Sequence, residues 1–183
     1  MSEPNSLYLN VHIKPAEREA FLQQQPALML PDRMWQAWWE RRSMYQKQEL
    51  REIPAYRCAQ HADVLREFLR DQRMACVEHY DLEQEQWTIV SLFFSENYTE
   101  ILPMLNMLKS LERYIVPESE GQALIYDYYW GGSAIMAYIS YRNGQAHVMD
   151  YVDMQELPVE KQQEVRSMMD AITEEFSKKF GQE

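Results

Sequence analysis

The sequence predicts an α+β protein, a single domain with a mostly antiparallel sheet of about five to six strands and helices packed on one face. Three observations support this prediction. Leu7 to Ile13 alternate apolar and polar residues with the period of a half-buried strand. Residues 123–152 contain three strand patterns joined by glycine turns, and residues 158–180 show helical apolar spacing. The length of 183 residues suits one ordinary domain.

The elements of the N-terminal half follow from local signals. After the strand at 7–13, Pro15 suits the first turn of a short helix that reaches about Gln24. Asp32 is a plausible N-cap of a second helix, and residues 61–74 have the apolar spacing of a third. The apolar face of the second helix is predicted to comprise Met34, Trp35, Trp38 and Tyr45.

The C-terminal half is predicted to contribute most of the sheet. Residues 75–80 and 87–94 form two strand patterns across an acidic turn, and the second pattern is apolar on both faces, which suits a central strand. A helix follows, capped by Asn97 or Thr99. The three strand patterns of 123–152 come next, and the helix at 158–180 ends the chain.

The glycine turns predict which side chains share a face of the sheet. If Asn143-Gly144 and Gly131-Gly132 are two-residue loops, Ser140 lies opposite His147 and Tyr126 lies opposite Ala137. The face expected under the helices then carries Leu124, Tyr126, Tyr128, Ile135, Ala137, Ile139, Val148 and Val152, with Asp150 as a polar exception. The other face carries Asp127, Tyr129, Met136, Tyr138, Ser140, His147, Met149 and Tyr151. A slip of one residue would exchange the two sets.

The register argues against a serine hydrolase. Ser140 and His147 are cross-strand neighbours, but Asp127 is four residues along the sheet, about 13 Å away at the rise of a β-strand. Asp150 projects from the opposite face. The histidine therefore lacks an orienting carboxylate, and no nucleophile elbow is evident. We predict no catalytic residues.

Metal and cofactor motifs are also missing from the sequence. The four histidines occur singly on different elements, and no Cys-x-x-Cys or glycine-rich phosphate loop is present. We therefore predict no metal and no cofactor. Cys58 and Cys76 belong to no motif and are predicted to be free thiols. With no pattern of a secretory signal or membrane span, the sequence predicts a cytoplasmic protein.

The negative charge is concentrated in the second part of the chain. Of the net charge of −11, residues 1–74 contribute +1 and residues 75–183 contribute −12. Such a field repels nucleic acid and anionic lipid and attracts basic proteins. Glu83 and Glu85, in the acidic turn, are candidate contacts for such a protein. Solubility alone is the alternative explanation of this charge.

Aromatic residues provide the other candidate contacts. Tyr129, Tyr138 and Tyr151 are predicted to line the second sheet face, a composition that suits an interface, although packing under a helix would explain it equally well. In the segment Trp35 to Trp39, Trp35 and Trp38 share a core face, whereas Trp39 lies about 100° further round and is the candidate for exposure. Core packing is the favoured interpretation of this segment, and a contact patch is the alternative. Nearby arginines form a local basic patch, but the remaining charge opposes nucleic-acid binding.

Two function hypotheses follow from the sequence. The first is a non-catalytic cytoplasmic protein whose acidic surface covers a basic partner, in its sharpest form an immunity-type inhibitor of a cationic toxin domain. The second is an enzyme or small-molecule-binding protein with a pocket between sheet and helices and with Tyr138, His147 and Asp127 as polar anchors. A homo-oligomer is compatible with either hypothesis.

Overall fold

Among the residues that the structure describes, six antiparallel strands form one continuous sheet, in the order β2-β3-β1-β4-β5-β6. The structure is a computed structural model that describes residues 3–28, 30–52 and 54–180. The strands are β1 (Asn5–His12), β2 (Cys76–Asp81), β3 (Gln86–Ser95), β4 (Gly121–Tyr126), β5 (Ile135–Arg142) and β6 (Gln145–Met149). The predicted α+β class with an antiparallel sheet is confirmed.

In the described part of the chain, five α-helices cover the sheet, and they use both of its faces. They are α1 (Pro15–Gln23), α2 (Arg33–Glu40), α3 (His61–Arg70), α4 (Tyr98–Ser110) and α5 (Val159–Phe180). Helices α1 to α4 share one apolar core with the sheet, while α5 packs on the opposite face. The sequence predicted helices on a single face; α5 extends this arrangement because the central strands are apolar on both sides.

Side-chain caps and proline explain where these helices begin. Pro15 occupies the first turn of α1, where its missing N–H costs nothing. The Asp32 carboxylate accepts the Trp35 N–H at 2.8 Å at the start of α2, and the Asn97 side chain accepts the Thr99 N–H at 3.0 Å at the start of α4. The prediction that Tyr45 lies on the core face of α2 is wrong. The helix ends at Glu40, and Tyr45 is 87% exposed.

The predicted register of the last hairpin is confirmed. Ser140 pairs with His147, and Tyr141 pairs with Ala146. Asn143 and Gly144 close this hairpin with positive φ angles of 53° and 68°. Both residue types tolerate this conformation, and for this reason the two-residue loop could be recognised from the sequence.

The predicted register between β4 and β5 is wrong by one residue. Ile125, not Tyr126, pairs with Ala137, and a bulge separates Ile125 from Tyr126. The connection is longer than a two-residue loop because the Asp127 N–H donates to the Ala134 carbonyl at 3.0 Å and a turn lies between them. Leu124 and Tyr126 therefore face α5 and not the main helical layer.

The sheet separates two apolar cores. Leu7, Leu9 and Val11 of β1 point into the larger core under α1 to α4, whereas Tyr8 points toward α5. This alternation explains why β1, β3 and β4 are buried on both faces. None of the helices in the described residues combines the length and apolar character that crossing a membrane requires.

Candidate functional site

An exposed group of aromatic side chains lies at one end of the sheet. Tyr129 and Trp130, in the β4–β5 connection, are 45% and 47% exposed. The Tyr129 ring meets the Phe93 ring edge to face, with centroids 4.4 Å apart, and the Tyr129 and Trp130 centroids are 5.3 Å apart. We call Phe93, Tyr129 and Trp130 the aromatic corner. Large aromatic side chains that remain exposed mark candidate contact surfaces.

A cleft of about 1090 Å³ adjoins the aromatic corner, and Trp130 and Phe93 form part of its wall. Its floor contains Tyr56, Phe68 and Phe94, and the Phe68 ring meets the other two rings edge to face. Burial raises the pKa of the Tyr56 phenol, so Tyr56 keeps its proton at neutral pH. The cleft thus offers an apolar floor with one hydroxyl group.

The rim of the cleft carries more negative than positive charge. Asp71, Glu96 and Glu100 lie at the rim together with one arginine, Arg73. Arg73 makes two side-chain bonds to Asp71, at 2.8 and 2.9 Å, and this pair lowers the pKa of the Asp71 carboxyl group. Because that pair is neutral, the two glutamates determine the sign of the rim.

The backbone of the β4–β5 connection explains the exposure of the two aromatic residues. Gly131 has a φ of +79°, a conformation that glycine adopts without steric cost. At Gly132, a Cβ atom would collide with the Asp127 carboxylate, so a larger residue there would displace the Asp127 side chain. The chain therefore turns tightly after Trp130, and the Trp130 side chain stays at the surface.

Tyr138 and Tyr151 contact each other on the α5 side of the sheet. Their ring centroids are 5.3 Å apart. Tyr138 is buried, its hydroxyl donates to Gln122 Oε1 at 3.0 Å, and burial raises the pKa of its phenol. Tyr151 is partly exposed. Of the predicted tyrosine surface, Tyr138 belongs to the packed interior and Tyr129 to the aromatic corner.

The surface position considered for Trp39 is wrong, and the favoured core packing of its segment is correct. Trp39 is 3% exposed, and its indole N–H donates to the Gln48 carbonyl at 2.9 Å. The segment after α2 folds back over the helix and covers the indole, and the Lys47 ammonium lies 5.0 Å from the ring centroid. Helical periodicity alone could not predict this cover, because it comes from a non-helical segment.

The structure does not bring Asp127 to the Ser140–His147 pair. Asp127 is bonded to Ala134, which is six residues before Ser140 in the chain, a separation of about 20 Å along a strand. Asp150, the exception on the core face, forms an ion pair with Arg41 just after α2. Tyr138 and His147 lie on the adjacent strands β5 and β6, two residues apart in register, but Asp127 is remote from both, so the three residues do not form one set of anchors.

Glu83 and Glu85 lie in the β2–β3 turn, at the other end of the sheet from the aromatic corner. Asp81 Oδ1 accepts the N–H groups of Glu83 and Gln84, and the Glu85 carboxylate lies 3.3 Å from His12 Nε2. Strand β3 connects the two ends and is about 33 Å long. The acidic turn and the aromatic corner are thus separate surfaces.

Sequence reasoning missed Phe93, Trp130 and the cleft between them. The available signal was the position of Trp130 directly before two glycines, since a bulky side chain at a tight turn is difficult to bury. The cleft itself depends on distant segments, and no local pattern encodes it.

Within the described part of the chain, His, Cys, Asp and Glu residues form no group of three or more that fits a metal ion. Comparison with protein-family models, curated proteins and solved structures gives no match to this chain.

Proposed function

We propose that this protein is a cytoplasmic binding protein that covers the surface of a basic protein partner. The exposed aromatic corner carries this proposal. Tyrosine and tryptophan contribute most to protein interfaces when they insert into a partner, and here two of them stand exposed beside a cleft. The aromatic corner would provide the anchoring contacts, and the cleft would receive a side chain of the partner.

The charge of the molecule supports a basic partner. The net charge is −11, and Glu96 and Glu100 at the rim of the cleft match this sign. A field of this sign accelerates the encounter with a cationic protein and makes the association sensitive to salt. Free Cys58 and Cys76 support a reducing compartment, as in the cytoplasm.

An immunity-type inhibitor of a cationic toxin domain is the specific form of the proposal. Such an inhibitor needs a rigid surface with anchoring side chains and the charge opposite to that of its target. The aromatic corner is held by a β-sheet connection and a glycine-dependent turn, which gives the required rigidity. The residues proposed for contact are Phe93, Tyr129, Trp130, Glu96 and Glu100.

Photo-crosslinking in cells tests this proposal. A photoreactive phenylalanine analogue at Trp130 should crosslink to a basic protein, whereas the same analogue at Leu82 should not. Leu82 is a matched control because it is 72% exposed and lies in the acidic turn at the opposite end of the sheet. A partner without net positive charge, or equal crosslinking from both positions, would contradict the proposal.

Affinity measurements with the identified partner complete the test. Trp130→Ala should weaken binding about 30-fold, since a central aromatic contact contributes about 2 kcal/mol. Leu82→Ala should leave the dissociation constant unchanged. Binding should also weaken as NaCl rises. An unchanged affinity of the Trp130 variant would show that the aromatic corner does not carry the interaction.

A further inference from the structure

The two edges of the sheet differ in their backbone hydrogen bonds. At the β6 edge, the Ala146 N–H points away from β5 and donates to Glu112 Oε2 at 2.9 Å. The Ala146 carbonyl accepts from Lys109 Nζ at 3.1 Å. Side chains from α4 and the segment after it thus occupy both outward backbone groups of Ala146 at this edge.

The β2 edge has no such cover. In an antiparallel ladder, residues whose backbone groups point toward the neighbouring strand alternate with residues whose groups point away from it. The Leu92 N–H donates to the Ala75 carbonyl at 3.3 Å, so Ala75 and every second residue after it point toward β3. By that alternation the backbone groups of Cys76, Glu78 and Tyr80 point away from β3. Among the residues that the structure describes, these three N–H groups and three carbonyls make no hydrogen bond. Unpaired ladder groups are available for another strand.

Strand β2 also lacks several of the features that commonly protect an edge. It pairs with β3 through six consecutive residues without a bulge, and it contains no lysine and no proline. Its side chains are partly or fully exposed along the whole strand, in contrast to the buried strand β4. The edge is therefore regular and accessible.

The charges at the two ends of β2 are of opposite sign. The segment that leads into β2 carries Arg70, Asp71 and Arg73, a net charge of +1, and the end of β2 with the following turn carries Asp81, Glu83 and Glu85, a net charge of −3. In an antiparallel pair of two identical strands, the basic end of each strand lies beside the acidic end of the other. Strand β2 is thus electrostatically complementary to itself.

We propose that two copies of this protein associate through antiparallel pairing of their β2 strands, which joins the two sheets into one of twelve strands. The twofold axis passes through Glu78, so that Cys76 of each copy pairs with Tyr80 of the other. The inference is independent of the proposed function, because the aromatic corner is not part of this contact.

The position of Glu78 on the twofold axis does not oppose this pairing. Each Glu78 carboxylate forms an ion pair with Arg18 of its own chain and accepts the Trp87 indole N–H at 2.8 Å. The charge of each Glu78 carboxylate is therefore neutralised, and its position is fixed by Arg18 and Trp87 of its own chain. On the opposite face, Val77 of one copy lies against His79 of the other. Pairing along five residues of each strand, Cys76 to Tyr80, gives a small interface, so the dimer is a reversible one.

Analytical ultracentrifugation of the full chain over about 2 to 300 µM, a range chosen for a weak interface, tests the proposal. The mass should rise with concentration from 22.0 kDa toward twice that value. Glu78→Pro removes the outward N–H and should abolish the rise. Glu78→Thr removes the same carboxylate contacts but keeps the N–H, so it is the matched control and should still dimerise. Circular dichroism checks that both variants are folded.

Amide hydrogen exchange of the unmodified protein provides a second measurement. The N–H groups of Cys76, Glu78 and Tyr80 should exchange more slowly at high concentration, while those of Val77 and His79, which pair with β3, should be protected throughout. Three results would overturn the inference. They are a monomer at every concentration, a dimer that persists in Glu78→Pro, and an exchange rate of the three outward amides that does not change with concentration.

Discussion

Lys109 shows how one buried charge joins three elements. Its ammonium lies 3.3 Å from Asp32 at the start of α2, 3.5 Å from Glu112 after α4, and 3.1 Å from the Ala146 carbonyl in β6. The lysine side chain is almost fully buried, while both carboxylates are partly exposed. Removal of the ammonium would leave a carbonyl and a carboxylate without their cation at the sheet edge.

Lys109→Ala should therefore lower the free energy of unfolding by about 2–3 kcal/mol, slightly less than for a fully buried pair. Lys178→Ala is the control, because Lys178 forms an exposed ion pair with Glu174 one helical turn away. Its cost should stay below about 0.5 kcal/mol. Urea unfolding measures both values, and similar losses in the two variants would contradict this account.

Cys76 should react slowly in the folded protein. Burial, with a smaller contribution from the Glu78 carboxylate, raises the pKa of the Cys76 thiol to about 12 from an ordinary 9.0. At pH 8 the thiolate fraction should fall about a thousandfold, and iodoacetamide alkylation of the Cys58→Ser variant should slow in proportion. The rate should recover in guanidinium. Equal rates in folded and unfolded protein would contradict the prediction.

Gly132→Ala should destabilise the protein by about 1–3 kcal/mol, because the new Cβ atom meets the Asp127 carboxylate. To relieve this contact the Asp127 side chain must move, and its Oδ1 atom is buried. Repeating the substitution in an Asp127→Ala background should cost less than about 0.5 kcal/mol. A loss of equal size in both backgrounds would indicate backbone strain as the cause.

At the scale of elements, α5 completes the fold by covering the second face of the sheet. Val165 and Met169 are fully buried against Tyr8 and Leu124. A polar bond fixes the position of the helix: Glu164 Oε1 accepts the Tyr8 hydroxyl at 3.0 Å and the Asn10 side-chain amide at 3.2 Å. Burial and the nearby Glu164 carboxylate raise the pKa of the Tyr8 phenol, so Tyr8 remains a donor.

Met169→Ala should lower the free energy of unfolding by about 2–4 kcal/mol because it opens a cavity between α5 and the sheet. Met168→Ala is the control, since the neighbouring methionine is only partly buried. It should cost less than half as much. Chemical denaturation measures both variants. A larger loss at Met168 would show that α5 presents a different face to the sheet.

The elements that could be predicted from the sequence are those whose signals are local. Proline and side-chain caps mark the helix starts at Pro15 and Asp32, and Asn143-Gly144 determines the β5–β6 register. The β4–β5 register depends on a longer connection in which Asp127 bonds to Ala134, so the glycine pair misled the prediction by one residue. The burial of Trp39 and the shape of the cleft arise from contacts with other segments of the chain. The periodicity of a single element gives no information on such contacts.

At the scale of the whole molecule, the net charge of −11 opposes compactness. Ion pairs such as Arg41–Asp150 are neutral as pairs and leave this net charge in place. Salt that screens this repulsion should therefore stabilise the protein. We expect the urea midpoint to rise as NaCl increases from about 10 to about 300 mM, a range over which the screening length shortens to less than 10 Å. A midpoint that falls steadily would show that attractive ion pairs dominate the electrostatic energy.

The central place of β1 affects how the chain acquires its structure during synthesis. Strand β1 is translated before both of its neighbours and pairs with Gln86 to Ser95 on one side and with Gln122 to Tyr126 on the other. A ribosome must therefore release most of the polypeptide before that strand finds both neighbours, and contacts so far apart in sequence form slowly. Nascent chains arrested before Tyr126 should stay sensitive to protease, and longer ones should become resistant.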